Sequence, residues 1–445
     1  MVDIKDVPRD HTLPCLGIAA DGAAMRERLA PHFGAKVAIL QLKVERFTYK
    51  PGRNARVTYK LKLRDRTTGA KVRHAMHGRM ESQAEAAALH KKMARRTWQQ
   101  PAYGPALLFI EDMGLVLWGF PNDAKLEGLE RVTQPERLRG AVAGIPALVA
   151  YTAGAIDSTI VKYVPGKRLV MKHKLTSPVG DSVVLYSKTF SHDRGGAIFA
   201  VMRTLWERGR DDATALATPE PVAALDGGRT LLLRGLPGTA AIATLQPEAL
   251  ARGMTQAGAG IARIHTSGVD GLEPWSAAHE LENFLRVTAM LQRYDPELAP
   301  AIERLRALAE QRMSSLEALD PVSIHGAFRF TQLLTYRDRL ALVDFDGFRQ
   351  GHPMCDVGSF AAHVHYLHAK GELGDAERTT ALDTFSSAYR THAPWGTPAA
   401  ALGWYTGVIL VAKHVQKCVK RLKDDGNTKM RTMLAVAEEL LAGRA

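Results

Sequence analysis

The sequence predicts an α+β fold in which a β-rich unit occurs twice ahead of a long helical half. Three observations carry this. Two segments, Val44–Met80 (VERFTYKPGRNARVTYKLKLRDRTTGAKVRHAMHGRM) and Ser158–Phe190 (STIVKYVPGKRLVMKHKLTSPVGDSVVLYSKTF), share one order of strands and turns. After Pro237 the apolar spacing changes to a helical period. Within that helical half a single apolar hairpin, Leu333–Asp346, ends on Asp344-Phe345-Asp346.

Each repeat begins with a β-rich run, turns at a Pro-Gly-basic sequence (Pro51-Gly52-Arg53, Pro165-Gly166-Lys167), and continues into a strand of alternating residues. A Gly-containing turn and a third strand follow. Helical patterns come next, at Glu81–Arg95 and Asp193–Arg208, with Asp193 expected as an N-cap. Apolar strands then enter Gly-x-Pro turns at Leu115–Asp123 and Leu231–Thr239. Helices are expected over Pro247–His265, Trp275–Tyr294, Glu297–Leu319, Cys355–Lys370, Asp375–His392 and, with a break or kink, Ala399–Ala442. The expected division is a helical extension over 1–35, a first repeat over 36–155, a second over 156–238 and a helical region over 239–445.

Composition narrows the class. The 445 residues allow two or three packed units, and 46% hydrophobic with 24% charged content argues against wholesale disorder. The net charge of +13 suggests an anionic partner such as nucleotide phosphates or a phosphorylated metabolite. Lysines and arginines are dispersed and no recognition motif appears, which weighs against nucleic acid. Cys15, Cys355 and Cys418 have no paired spacing, and the longest apolar runs, such as Gly407–Ala412, are far below membrane-spanning length. A cytoplasmic chain without membrane insertion is expected.

The stretch IHGAFRFTQLLTYRDRLALVDFDGFRQGHPMCDVGSF, Ile324–Phe360, places a His-Gly loop, an amide and carboxylates at neighbouring strand ends. It resembles the catalytic core of the aminoglycoside phosphotransferase-like kinases, whose pattern reads roughly HGDxxxxN…hhhIDWxxxxxGDPxxDhA. Three strands, a helix and two strands is also the order of a protein-kinase small lobe, so the resemblance covers Ser158–Ala445. It implies a bilobal protein-kinase-like fold with a duplicated small-lobe-like unit, binding ATP and Mg²⁺.

Under that resemblance Lys188, in LYSKTF, is the lysine that meets the nucleotide's phosphates, and Glu207 is the glutamate available to pair with it. Lys167 would reach the phosphates from the Pro-Gly turn. Backbone groups of Arg234, Gly235 and Leu236 would bond the adenine edge. Asp344 matches the metal-binding Asp; Gln332 stands where the family has a metal-binding Asn, and Asp346 is additional. His325 is expected to bond backbone around its loop, and Asp356 to orient that loop. The family's GDP reads Gly351-His352-Pro353 here, and His363, His365 and His368 are read as histidines on a surface-facing helix.

One position departs most. Ala327 stands where the family has its catalytic Asp, and alanine can neither accept a proton nor orient a hydroxyl. A general base contributes on the order of 10²–10⁴-fold, roughly 3–5 kcal/mol of barrier. Three readings stay open: a pseudokinase that binds nucleotide or scaffolds a partner, a kinase whose base is Asp346, and an engineered variant. The favoured reading is ATP- and Mg²⁺-dependent phosphoryl transfer to a small-molecule hydroxyl, with activity reduced or absent. A basic chain favours a neutral or anionic acceptor, and the first repeat, with Arg79 and no lysine, is expected to serve packing or homodimerisation rather than nucleotide binding.

Overall fold

Alternating residues fold the first repeat into long strands whose Val57, Tyr59, Leu61 and Leu63 are all buried on one face. The computed structural model describes residues 7–212, 214–244, 247–269, 273–420 and 426–444. They form two units: Met1–Gln134 with Val164–Arg168 and Lys417–Asn427, and Pro135–Tyr163 with Leu169–Gln416 and Thr428–Ala445.

The first unit opens with helices α1 (Leu16–Ala20) and α2 (Gly22–Leu29), the latter capped by Asp21, which accepts from the amides of Ala23 and Ala24. Strands β1 (Val37–Lys50), β2 (Asn54–Asp65) and β3 (Lys71–Met80), helix α3 (Gln83–Ala94), then β4 (Leu107–Ile110) and β5 (Leu115–Gly119) follow, with α4 (Glu130–Thr133) after them. The sheet order is β1-β2-β3-β5-β4, antiparallel throughout. Leu16, Met25 and Leu29 cover one face with Tyr59 and Leu117, while Ala86 and Met93 of α3 pack on Val116 and Trp118 of the other. Burying both faces keeps a five-stranded sheet from being an open apolar surface.

The second unit repeats this order. After α5 (Pro135–Ala143) come β6 (Ala155–Val164), β7 (Arg168–Thr176), β8 (Ser182–Phe190), α6 (Gly195–Gly209), β9 (Pro221–Leu225) and β10 (Thr230–Arg234), in sheet order β6-β7-β8-β10-β9. Leu138 and Val142 of α5 pack on Leu175, Leu185 and Leu232. His173 bridges the strands, its ring nitrogens 2.8 Å from the hydroxyls of Ser158 and Ser187.

Past β10 the unit is helical. Strand β11 (Thr239–Ala240) and α7 (Ala241–Thr244) lead to α8 (Pro247–His265), β12 (Pro274–Trp275), α9 (Ala277–Tyr294) and α10 (Ala299–Met313). Four short strands follow, β13 (Val322–Ile324), β14 (Leu333–Tyr336), β15 (Arg339–Leu342) and β16 (Arg349–Gly351). Then come α11 (Met354–Ala369), α12 (Asp375–His392), α13 (Ala399–Ile409), a π-helical turn at Leu410–Val415, α14 (Gln416–Lys420) and α15 (Gly426–Ala442). Phe328, Phe360 and Phe385 form the aromatic centre, the last two with ring centroids 4.0 Å apart. Gly258 permits the close approach of α8 to α12, since a Cβ there would lie 2.4 Å from the Phe385 carbonyl oxygen. This α+β order, three strands, a helix, two strands and then helices around one hairpin, is protein-kinase-like.

Several local expectations are corrected. Helix α6 starts at Gly195 behind Arg194, with no side-chain cap, so Asp193 does not cap it. Helix α10 stops at Met313, short of the expected Leu319. His363 is buried rather than facing solvent, its ring centroid 5.4 Å from that of His414, and burial lowers the pKa of His365 to about 4. Among the described residues no helix is long and apolar enough to cross a membrane, and Cys15, Cys355 and Cys418 form no disulfide.

Candidate active site

Strands β14 and β15 pair from Leu333–Leu342 to Tyr336–Arg339, and the buried Leu340-Ala341-Leu342 anchors the strand that leads into Asp344. The Val343 amide donates to the Gln332 carbonyl at 3.0 Å, which holds residue 332 beside the strand end. Asp344 then adopts left-handed φ +74°, ψ +54°, a conformation that Asp tolerates better than branched residues. A tight turn over Phe345–Gly347 buries the Phe345 ring and leaves Asp346 partly exposed.

Lys188 of β8 meets these carboxylates. Its Nζ donates to Asp344 Oδ1 at 2.5 Å and also pairs with Asp346. The lysine side chain is only 11% exposed and packs over the Phe190 ring, so its charge is compensated by carboxylates rather than by water. Beside them Gln332 is 4% exposed, and neither its Oε1 nor its Nε2 has a hydrogen-bond partner. Leaving such an amide unsatisfied costs about 1–3 kcal/mol. Two carboxylates and an unsatisfied carbonyl oxygen are the donor types that Mg²⁺ takes, so these residues fit that ion.

Asp356 organises the loop before the hairpin. Fully buried, it accepts from the backbone amides of His325 (2.5 Å), Gly326 (2.9 Å) and Phe328 (3.4 Å), and from His265 Nε2 at 3.2 Å. Burial alone would raise its pKa, but the His265 bond and the loop amides hold it below the usual carboxylate range. His265 is fixed in turn through Nδ1 to the Tyr389 hydroxyl at 2.8 Å, which also accepts from Trp395 Nε1. The His325 ring lies edge-on to Phe328 and Phe345, and burial depresses its pKa.

Ala327 sits on the loop that Asp356 holds. Gly326 has φ +74°, and a Cβ there would fall 2.1 Å from the Gly347 carbonyl oxygen. The 325–327 loop and the 345–347 turn are therefore in direct contact, which brings residue 327 against the turn bearing Asp346.

The other expected residues lie as follows. Glu207 is exposed and pairs with Arg203, so the partners of Lys188 are the two aspartates instead. Arg234 pairs with Glu220 at 2.6 Å, and the Gly235 amide donates to the Val184 carbonyl. The Leu236 amide has no hydrogen-bond partner among the described residues. Lys167 lies in the Val164–Arg168 turn, which groups with the first unit. In the first sheet Arg79 opposes Val116 as Lys188 opposes Leu231, each partner being the second residue of its strand. There Arg79 is paired with the buried Glu81.

Sequence reading missed His265, which lies 91 positions from the Asp356 it bonds. It also missed a second buried pair: Lys413 Nζ donates to Glu280 Oε1 at 3.1 Å and approaches the Gly326 carbonyl at 3.4 Å. A lone Lys in an apolar helix carries no local signal of either contact.

Residues 174–395 match the phosphotransferase enzyme family. That segment belongs to the family. The match spans Lys188, the 325–327 loop, Gln332, Asp344, Asp346 and Asp356, and the first unit's sheet lies outside it. No curated protein sequence matches the chain. Solved structures similar to it include spectinomycin phosphotransferase in complex with ADP and spectinomycin (11% identity, TM-score 0.48, 69% of this chain and 97% of that one). A choline/ethanolamine kinase family protein from Mesorhizobium loti (15%, 0.45, 69% and 98%) and choline kinase from Cryptosporidium parvum (11%, 0.48, 69% and 96%) are also similar.

Proposed function

We propose that residues 156–445 act as an ATP- and Mg²⁺-dependent phosphotransferase toward a small-molecule hydroxyl, with turnover reduced by Ala327. In this reading 156–238 is the nucleotide-holding lobe and 239–445 the lobe that carries the acceptor site. The observation that carries it is the bond of Lys188 to Asp344 beside the unsatisfied Gln332 amide. Phosphoryl transfer asks a protein for phosphate contacts, charge neutralisation and an oriented acceptor, and these residues supply the first two.

Lys188 bonds phosphate oxygens once its carboxylate partners turn to other cations. Asp344 and Gln332 would hold Mg²⁺, which neutralises charge on the phosphates. The Leu236 amide, with backbone of Arg234 and Gly235, meets the adenine edge. The exposed Glu207 is left to the surface. The acceptor oxygen attacks the γ-phosphorus, the bond to the β–γ bridging oxygen breaks, and ADP leaves. The acceptor's proton passes to Asp346 or to water, since residue 327 has no group to take it. His325 and Asp356 keep the loop in place.

A second reading, a non-catalytic nucleotide-binding pseudokinase, is favoured by Ala327 alone. The first repeat, whose Arg79 is already paired with Glu81, is proposed to serve packing or homodimerisation. A thermal-shift titration of ATP with and without Mg²⁺ tests the shared premise. A ligand at a hundredfold excess over Kd stabilises the native state by about 2.7 kcal/mol. A midpoint that no nucleotide raises, with or without Mg²⁺, defeats both readings.

A further inference from the structure

The chain from Lys188 to Arg194 is fastened at both ends to the turn bounded by Asp344 and Phe348. At one end Lys188 Nζ donates to Asp344 Oδ1 at 2.5 Å. At the other, Arg194 Nη2 donates to the Phe348 carbonyl at 3.3 Å and pairs with Glu273 at 3.2 Å. The groups between are layered. Lys188 Nζ lies 5.6 Å from the Phe190 ring centroid, Phe190 stacks on His192 at 5.1 Å, and the Arg194 amide donates to His192 Nδ1 at 3.3 Å. Helix α6 begins immediately afterwards, and its start is fixed, since a Cβ on Gly195 would fall 1.8 Å from the Gly228 carbonyl oxygen. Local helix energetics do not account for Arg194. A cation at a helix N-terminus opposes the macrodipole, and this side chain makes no capping bond. The first turn of α6 holds no acidic residue, so what the helix start presents to the hairpin end is this arginine.

We propose that Arg194 is a positioning residue, which keeps the turn after Asp344 docked on α6 while Lys188 exchanges its carboxylate partners for nucleotide phosphates. This rests on the phosphotransferase reading and adds to it a residue that touches neither nucleotide nor metal. In that reading Lys188 gives up its bond to Asp344 when ATP binds, so the turn loses its attachment at that end. The Arg194 bond goes to a main-chain carbonyl and involves none of the exchanging groups, so it persists. Asp344 thereby keeps its place beside Gln332. The ion pair with Glu273 is partly solvated, at 32% and 59% side-chain exposure, and contributes little by itself. The hold on the Phe348 carbonyl is the part that the site uses.

Isothermal titration of a non-hydrolysable ATP analogue into the full chain, with Mg²⁺ and with a chelator in its place, tests this. Arg194→Gln is expected to weaken Mg²⁺-dependent binding roughly tenfold or more, the scale of one hydrogen bond from a charged donor, and to leave Mg²⁺-free binding within about twofold of the wild type. Arg194→Lys, which can still offer a charged donor to a carbonyl, should restore most of the loss, and Glu273→Gln should change neither. Hydrogen exchange in the saturated Mg²⁺ complex reads the turn itself. The Phe348 amide, which donates to the Phe345 carbonyl at 3.1 Å, should stay protected in the wild type and lose protection in Arg194→Gln. Thermal midpoints of the free proteins show that the variants fold, and Arg194→Met, which keeps the aliphatic stem, takes the place of Arg194→Gln if that variant does not. Equal loss with and without Mg²⁺, no loss at all, or unchanged exchange at Phe348 overturns the proposal. So does a loss in Glu273→Gln as large as that in Arg194→Gln, which would assign the effect to the ion pair. A wild type that binds the analogue under neither condition defeats the phosphotransferase reading, and this proposal falls with it.

Discussion

Lys188 Nζ lies 2.5 Å from Asp344 Oδ1, joining β8 of the second sheet to the end of a hairpin 156 residues further on. The pair, with Asp346, sets an ammonium against two carboxylates in a site mostly screened from solvent. Such a group of charges is balanced only while the cation stays, and a metal plus a polyphosphate can exchange for it without leaving a charge alone.

The first prediction follows directly. Asp344→Ala is expected to abolish the Mg²⁺-dependent part of ATP binding, and Lys188→Ala to weaken ATP binding at least tenfold whether or not Mg²⁺ is present. Isothermal titration of both variants against the wild type measures the two effects separately. Unchanged nucleotide affinity in both variants means that ATP binds elsewhere.

Much of this arrangement was legible in the sequence because it rests on local rules. Pro-Gly turns and alternation gave the strand order of both sheets, and a carboxylate directly after Ala341-Leu342-Val343 marked Asp344 as a buried strand end with a charge to satisfy. What stayed hidden depends on contacts between distant segments. His265 is the last residue of an amphipathic helix, and only the fold brings it to Asp356. Glu280 and Lys413 are 133 positions apart, and each looks like an ordinary helical charge. Glu207 is the only glutamate on the helix after Lys188, where the resemblance puts the lysine's partner, whereas the hairpin supplies two aspartates.

The second prediction concerns the loop. Asp356→Ala removes the acceptor for three backbone amides and for His265, and is expected to lower stability by about 3–5 kcal/mol. His265→Ala added to it should cost much less than it does alone, because the two groups act through one bond. Urea denaturation of the four-member cycle reads this. Full additivity would mean that the two side chains are energetically independent.

The third is a pH effect. Burial lowers the pKa of His173 to about 4 from an ordinary 6.5, its ring held between Ser158 and Ser187. The unfolded chain therefore binds a proton at this residue that the folded chain refuses. Its contribution to stability is present above pH 6.5 and is lost as pH falls towards 4, with a slope of about 1.36 kcal/mol per pH unit. His173→Gln should flatten this part of the stability profile. An unaltered slope in the variant would assign the acid sensitivity to other groups, such as His74, lowered to about 4, and His77, lowered to about 3.

A fourth prediction concerns Gly326. Its φ of +74° and the 2.1 Å approach of a Cβ to the Gly347 oxygen leave no room for alanine. Gly326→Ala is expected to cost about 1–3 kcal/mol in backbone strain, with more from displacement of the 345–347 turn. Because that turn follows directly on Asp344, Mg²⁺-dependent nucleotide binding should weaken as well. Stability loss with nucleotide binding untouched would show that the loop and the turn move independently.

The last concerns Ala327 itself. Restoring the carboxylate with Ala327→Asp should raise phosphoryl transfer by on the order of 10²–10⁴-fold if proton removal is the only missing element. Turnover of ATP against a pool of sugars, phosphorylated sugars and carboxylic acids, for the chain and for Ala327→Asp, separates the cases. A gain confined to uncharged acceptors would mean that the chain derives from an ordinary kinase of hydroxyls. Equal and appreciable turnover in both proteins would place the base outside residue 327, and Asp346→Asn, which keeps the shape and loses the charge, should then abolish it. No turnover in either, with tight nucleotide binding retained and the acceptor pool exhausted, would leave the nucleotide-binding pseudokinase as the reading that the site supports.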